Sequence, residues 1–322
     1  MADKYIDIDT LKYMLYDVHQ LEELFKRERF VDHDKESIDL FLESNKDFAD
    51  KELFPFVKEM DEQPAHYKDG KVYVHDQVKT MMHKGGELGV ISASFDYDDG
   101  GMQIPLLAHT AAYFILDAAN NHLPGYAGLT QGAAELIIHF ANKALNEAYV
   151  PKMLSGQWGG TMCLTEPQAG SSLSDIVTKP KPTSDGYYNI TGQKIFISGG
   201  DNQFAENIVH LVLARIEGAP KGTKGISLFV VPKNRPDASG VLTPNDVTTV
   251  ADFQKLGQRG YCTTHLGFGD AEDCRGWLVG NENQGLNYMF LMMNAARIAV
   301  GRGASAIASA AYYASLQYAN ER

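Results

Sequence analysis

The chain is expected to fold as an α+β protein, with a helical part, a β-rich part and a returning helix in that order. Three observations predict it. Up to residue 155, apolar residues recur at intervals of three and four, the spacing of one helix face. From 156 to about 277 the interval becomes two, in short runs bounded by Gly, Pro and Lys. From Gln284 the helical interval returns. These changes divide the 322 residues into a helical domain at 1–155, a middle β-barrel or sandwich domain at 156–280 and, at 281–322, the first helix of a further helical bundle.

The first helical stretch carries Leu11, Met14, Leu15, Val18, Leu21, Leu24 and Phe25 on one face. A second helix begins near Ser37 and brings Ile38, Phe41, Leu42 and Phe48 towards Pro55. The segment PAHYKDGKVYV breaks the pattern and predicts a loop with a short extended arm. Helix resumes after Asp76, whose side chain suits an N-cap. The acidic FDYDDGGMQIP reads as a helix–helix loop. A calcium loop needs alternating oxygen ligands and a bidentate Glu at a fixed distance, and that spacing is absent. Two more helices are expected, at about 106–120 and 132–153.

In the middle region, ENIVHLVLARI and GISLFVVPK predict short apolar strands. ASGVLTPNDV reads as turns, and KLGQRGYCTTHLGFGDAEDC as two more strands around a tight Gly turn. On the last helix Leu286, Met289, Phe290, Met293 and Val300 form one stripe, and its many Ala and Gly residues suit close helix packing. Gly301-x-Gly303-x-x-Ala306 has the spacing of a dinucleotide fingerprint, but that motif follows a strand and here a helix precedes it. These small residues are assigned to helix packing. The amphipathic helix reaches Arg322 without a cap or a polar tail, which predicts a chain that continues.

Composition bounds the function. Hydrophobic content of 44% supports a packed core. A net charge of −12 argues against a nucleic-acid partner but allows an anionic ligand held by local dipoles. The three cysteines, Cys163, Cys262 and Cys274, form no CxxC pair, which fits free thiols in a reducing compartment. The N-terminus MADKYIDIDT lacks a signal-peptide pattern and no apolar run is long enough for a membrane span, so a cytoplasmic location is expected. The ten histidines are scattered with no HExxH, so no metal site is expected. Ser171 and Ser172 do not form GxSxG, which argues against a serine hydrolase.

The most informative stretch is 157–200. Thr161, Thr165, Gly170, Ser171 and Ser172 surround Glu166-Pro167, and proline forces an extended or turning chain there. Consecutive N–H groups with two serine hydroxyls suit an anion such as a pyrophosphate. In GYYNITGQKIFISGG, Tyr188 and Ile190 alternate on one side and Ile195 and Ile197 on the other, which predicts a hairpin turning at Thr191, Gly192 and Gln193. Physics alone leaves two readings open: a β-rich site for a polyanionic ligand, or a Gly-rich turn in an ordinary β-domain.

The run MCLTEPQAGSS followed by GQKIFISGG resembles the flavin-binding signature of the acyl-CoA dehydrogenase family. The similarity extends over essentially the whole chain. It includes the Lys-(Leu/Met)-Gly-x-Arg segment, here 255–259, and the small apolar step at 276–280. The long N-terminal extension and PAHYKDGKVYVH are similar to the larger subfamily that includes methylmercaptopropionyl-CoA dehydrogenases. The resemblance implies FAD as cofactor, an acyl-CoA substrate, an electron-transfer flavoprotein as partner and a homodimer or homotetramer. By the same resemblance, Met162, Leu164, Thr165, Gly170 and Ser171 wrap the flavin and its phosphates, with Ser171 also at the junction with the CoA chain. Phe196, Ile197 and Ser198 stand where the family has (Trp/Phe)-Ile-(Thr/Ser), the aromatic residue against the flavin ring and the hydroxyl near it. Asn294 and Arg297 match an Asp-x-x-Arg pair beside the acyl and CoA chain, Asn294 being a departure. Arg322 matches an arginine that contacts the FAD of a neighbouring subunit.

The implied reaction is α,β-dehydrogenation of an acyl-CoA to the 2-enoyl-CoA. Its α-proton is weakly acidic, so hydrogen bonds to the thioester oxygen and a desolvated carboxylate base are required. Some members carry that base immediately before the arginine matched by Arg297; this chain has Ala296 there. Glu166 belongs by resemblance to the flavin-wrapping turn. No catalytic residue is therefore assigned, and the general base is expected beyond Arg322. Two alternatives are carried: a flavin oxidase or monooxygenase of the same fold, and a non-catalytic module that binds FAD or acyl-CoA.

Overall fold

A computed structural model describes residues 3–322. The first two residues of the expected helical domain lie outside this range. The α+β order is as expected: helices to Leu154, strands from Trp158 to Leu278, then one long helix.

The helical part comprises α1 (Ile8–Tyr13), α2 (Lys35–Phe48), α3 (Val57–Glu62), α4 (Gln77–Glu87), α5 (Leu106–Asn120), α6 (Pro124–Phe140) and α7 (Lys143–Leu154). α2 starts where Asp34 and Ser37 cap each other's backbone, and it buries Ile38, Phe41, Leu42 and Phe48 as expected. The 64–74 loop holds a small hairpin, β1 (His66–Lys68) with β2 (Lys71–Tyr73).

Several expectations are corrected. The single first helix is broken. α1 is six residues long, a wide π-turn covers Met14–Val18, and Gln20 turns the chain with a left-handed φ of 51° before the 3-10 turn Leu21–Lys26. Leu15 and Leu21 still reach the core, whereas Met14 and Val18 are exposed, because a wrapping segment buries residues one at a time. The expected 132–153 helix is two helices. The Asn142 side chain accepts from Leu145 N–H at 3.0 Å and starts α7 afresh. Asp76 occupies the N-cap of α4 but forms no side-chain cap bond there, since its backbone is already helical.

The strands are β3 (Trp158–Cys163), β4 (Lys179–Pro182), β5 (Tyr188–Ser198), β6 (Asn207–Ala214), β7 (Ser227–Pro232), β8 (Asn234–Pro236), β9 (Leu242–Pro244), β10 (Val247–Asp252), β11 (Thr263–Phe268) and β12 (Arg275–Leu278). The main sheet runs β10-β11-β5-β12-β7-β6-β3, with β4 also on β5. Its pairs are antiparallel except β3 with β6. β6 and β7 are buried along their whole length, which is why they read as unbroken apolar runs. Val209, Leu211, Leu213, Leu228 and Val230 face the helical core, while Val212, Phe229 and Val231 face a second core inside the β-region. One sheet thus separates two cores and fixes the helices against the strands.

The expected hairpin at 188–198 is one continuous strand. β5 pairs with β4 up to Thr191 and with β11 from Gly192 onward, so Gly192 marks a change of neighbour. A Cβ there would lie 2.4 Å from the Thr178 hydroxyl, so the glycine serves a close approach. ASGVLTPNDV contains the short β8–β9 hairpin rather than turns alone. The 255–274 segment supplies one strand, β11, whose partner β10 precedes it.

The final helix, α8 (Gly285–Glu321), buries Gly285, Met289, Met292, Gly303 and Ala306. Phe290 and Val300 of the expected stripe are exposed, because the buried line shifts to small residues where α8 crosses α5 and α6. Gly303 lies against Asp117 and Asn121, the close packing expected of it, while Gly301 faces open space.

Candidate functional site

β3 delivers the chain into the 164–178 loop, and β5 lies beneath that loop. Pro167 and Gln168 sit at the tip of a tight turn closed by mutual main-chain hydrogen bonds between Glu166 and Ala169, at 2.9 and 3.0 Å. The Glu166 carboxylate points inward and is 1% exposed. It accepts from Val177 N–H at 2.7 Å, Thr178 N–H at 3.1 Å, the Gln168 amide at 2.7 Å and Lys194 Nζ at 2.8 Å. Burial alone would raise its pKa, but Lys194 and these donors hold it below the usual carboxylate range, so it is ionised. Lys194 is fully buried; burial lowers its pKa against the opposing pull of Glu166, and the carboxylate at 2.8 Å keeps it an ammonium.

Beyond Lys194 the strand bulges. Leu266 pairs with Lys194 and Thr264 with Ile197, so Ile195 and Phe196 together oppose His265. Phe196 takes a φ of 57° and is 57% exposed, with its ring centroid 4.5 Å from that of Phe253. Ile195 N–H donates to the Thr165 carbonyl at 2.9 Å, which docks the loop on the bulge. Ile197 is buried in the β-core, so only its main chain is available to a ligand. Ser198 ends the strand opposite Thr263.

Thr165 and the Phe196–Ser198 end of β5 therefore meet at one place. Gly170 borders them, since a Cβ added there would lie 3.7 Å from the Thr165 methyl group, and Ser171 follows as an exposed residue of the loop. Met162 and Leu164 are partly buried against the helical core. Among the described residues, the hydroxyls of Thr165, Ser171 and Ser198 form no side-chain hydrogen bond, whereas Ser172 donates to Asp175 at 2.6 Å. Asn294 and Arg297 are a hydrogen-bonded pair on α8, 3.0 Å apart. Arg322 is bonded to Tyr318 at 2.8 Å. A helical rise of about 1.5 Å per residue puts it roughly 37 Å beyond Arg297, so these two do not share a site within one chain. No cluster of metal-ligating side chains occurs among the described residues.

The expected site residues did not include Lys194. Read as one strand, Ile190, Gly192 and Lys194 share a face, and that alternation was the available signal.

The sequence profile of the acyl-CoA dehydrogenase N-terminal domain matches residues 35–157, and that of the middle domain matches 161–271. The chain belongs to the acyl-CoA dehydrogenase family. It is 40% identical over 276 residues to the 3-methylmercaptopropionyl-CoA dehydrogenase of Ruegeria pomeroyi, across 85% of this chain and 46% of that protein. It is 36% identical over 299 residues to a butyryl-CoA dehydrogenase of Syntrophomonas wolfei, across 89% and 48% of the two chains. A structure described as an electron transferring flavoprotein of Acidaminococcus fermentans superposes with a TM-score of 0.73 at 26% identity, covering 90% of this chain and 70% of the other. This chain spans about half the length of the curated relatives it matches. The segment of this chain that matches the middle-domain profile contains the loop, the bulge and the Lys194–Glu166 pair.

Proposed function

We propose that this chain carries the flavin and thioester site of an FAD-dependent acyl-CoA dehydrogenase, which forms 2-enoyl-CoA and passes electrons to an electron-transfer flavoprotein. The observation that carries the reading is the exposed Phe196 ring on the bulge where the Thr165 main chain docks, two residues before Ser198; among the described residues the hydroxyls of Thr165 and Ser198 form no side-chain hydrogen bond. An exposed aromatic face with hydroxyl-bearing residues on the adjoining loop and strand end fits a planar heteroaromatic ring with polar edges. FAD, when bound, supplies the acceptor for the hydride that leaves the acyl β-carbon.

In this reading Phe196 packs on the ring face, Thr165 and Ser198 bond its polar edge, and Ile197 contributes main chain alone. Met162 and Leu164 give the apolar floor. Gly170 and Ser171 meet the phosphates and the junction with the CoA chain, and Asn294 and Arg297 steady the acyl-CoA. Arg322 reaches the flavin of a neighbouring subunit in a homodimer or homotetramer. Glu166 is not the α-proton acceptor, since its carboxylate is buried and committed to Lys194. α8 has Ala296 where a carboxylate would precede Arg297, so we assign the base to a segment beyond residue 322. The division into 1–155, 156–280 and 281–322 is retained as the domain plan, and three unpaired cysteines support a cytoplasmic location. Among the described residues no helix is long and apolar enough to cross a membrane.

The test is a visible absorption spectrum of the full-length protein before and after anaerobic addition of acyl-CoAs. A flavin band that bleaches supports the reading. A protein that refuses added FAD, or a flavin that no acyl-CoA reduces, opposes it.

A further inference from the structure

We propose that Lys194 is the positioning residue of the flavin site, setting the 164–166 main chain against the Ile195–Phe196 bulge. The inference rests on the dehydrogenase reading above.

Lys194 is among the largest fully buried side chains of the protein, and it lies immediately before the bulge. Its Nζ donates to the Leu164 carbonyl at 3.1 Å and to Glu166 Oε1 at 2.8 Å. Between those residues, the Thr165 carbonyl accepts from Ile195 N–H at 2.9 Å. Three successive loop residues are thus tied to two successive strand residues. Glu166 extends the tie by holding Val177 and Thr178, where the loop returns to the sheet. Thr165 on one side and Phe196 on the other can face a common ligand only while this clamp holds their separation. A few tenths of an ångström matter at such a site, because ligand contacts are lost when the supporting residues loosen.

A buried ion pair is a poor device for stability alone, since a neutral or apolar replacement of both partners is often tolerated. That distinguishes the two roles. If the pair serves only stability, neutralising both partners leaves FAD binding intact. If it serves position, the fold survives and the flavin site does not.

The experiment uses full-length protein carrying Lys194→Met together with Glu166→Gln, with Asp117→Asn/Arg302→Met as a control at a remote buried pair. Melting temperature, FAD affinity and the fine structure of the flavin band are measured. The expected result is a folded K194M/E166Q protein whose FAD affinity falls by about tenfold or more, with an altered band shape, while the control binds FAD as the wild type does. Wild-type affinity and band shape in a folded K194M/E166Q protein overturn the inference. So does an equal loss of affinity in a control of matched stability. If K194M/E166Q does not fold, hydrogen exchange on the wild type decides. Coupling is reciprocal, so FAD must slow exchange of the Ile195, Val177 and Thr178 amides, and unchanged exchange overturns the inference. A wild type that takes up no FAD is a separate outcome, visible without any variant, and removes the dehydrogenase reading together with this one.

Discussion

Arg302 on α8 donates its Nε to Asp117 on α5 at 3.0 Å, and both side chains are largely buried. The guanidinium also lies over the Tyr113 ring, 4.6 Å from its centroid, and Asn121 donates to the other Asp117 oxygen at 3.1 Å. Burial raises the Asp117 carboxyl above the ordinary range, with Arg302 opposing it.

Replacing Arg302 by Met leaves that carboxylate buried without its cation, so the variant is expected to lose about 3 kcal/mol of stability at neutral pH. The sign of the pH effect follows. With its folded-state pKa raised further, Asp117 takes up a proton more readily in the native than in the unfolded chain, so the deficit shrinks as pH falls towards the carboxylate range. Urea unfolding of R302M and wild type at pH 7 and pH 5 measures it; a deficit equal at both values would show that charge burial is not the cause.

Two buried histidines predict an acid-labile fold. His210 sits inside the sheet with Nδ1 2.8 Å from the Thr161 hydroxyl, and burial pushes its pKa down to about 3. His109 on α5 donates Nε2–H to the Val90 carbonyl at 2.8 Å, and burial lowers it to about 4. Both are neutral in the native chain and take up protons when it unfolds. Their stabilisation is complete above the ordinary histidine value and is lost as pH falls from there towards 4 and then 3. Each contributes a slope of about 1.4 kcal/mol per pH unit in that window. A His210→Gln protein should show a flatter decline of stability between pH 6 and 4.5, and an unchanged slope would contradict this.

How much of this was legible in the sequence depends on whether neighbours or distant contacts decide a residue's place. β6 and β7 were readable because burial on both faces leaves a plain apolar run. The turn at Pro167 was readable because proline acts locally. Gly192 was misread because glycine signals both a turn and a close approach, and the Thr178 it accommodates is distant in the chain. Lys194 was passed over because a lysine reads as solvent-facing unless its carboxylate is known, and Glu166 lies 28 residues away. Phe290 and Val300 were assigned to a buried stripe because α8 bears apolar residues on more than one side. Only the crossing with α5 selects the face of Gly303 and Ala306.

Cys163, Cys262 and Cys274 are all buried, and none is in a disulfide. Burial pushes the Cys163 thiol up to about 12 and raises the other two as well, so none is a thiolate at neutral pH. The native protein is therefore expected to react with an aromatic disulfide reagent only on the timescale of unfolding. Thiol titration with and without denaturant checks it. Prompt native reaction would mean that the core around the reacting thiol, the β-core for Cys163 and Cys274 and the helical core for Cys262, opens far more readily than its packing implies.

Phe196 combines a left-handed φ of 57° with a largely exposed ring, a conformation that costs of order 1 kcal/mol for a bulky residue. Strain of that kind persists where the surroundings enforce it, here the bulge and the Ile195–Thr165 hydrogen bond. Phe196→Gly removes the strain along with the contact to Phe253, so its stability is expected to stay within about 1 kcal/mol of wild type. Phe196→Ala keeps the strain and loses the same contact, so it should be the less stable of the two. If the ring is the surface on which the flavin packs, both variants lose FAD affinity to a similar extent despite their different stabilities. Thermal unfolding and FAD titration of the pair separate the two effects. A flavin affinity that tracks stability across the pair, rather than the presence of the ring, would move the cofactor contact away from Phe196.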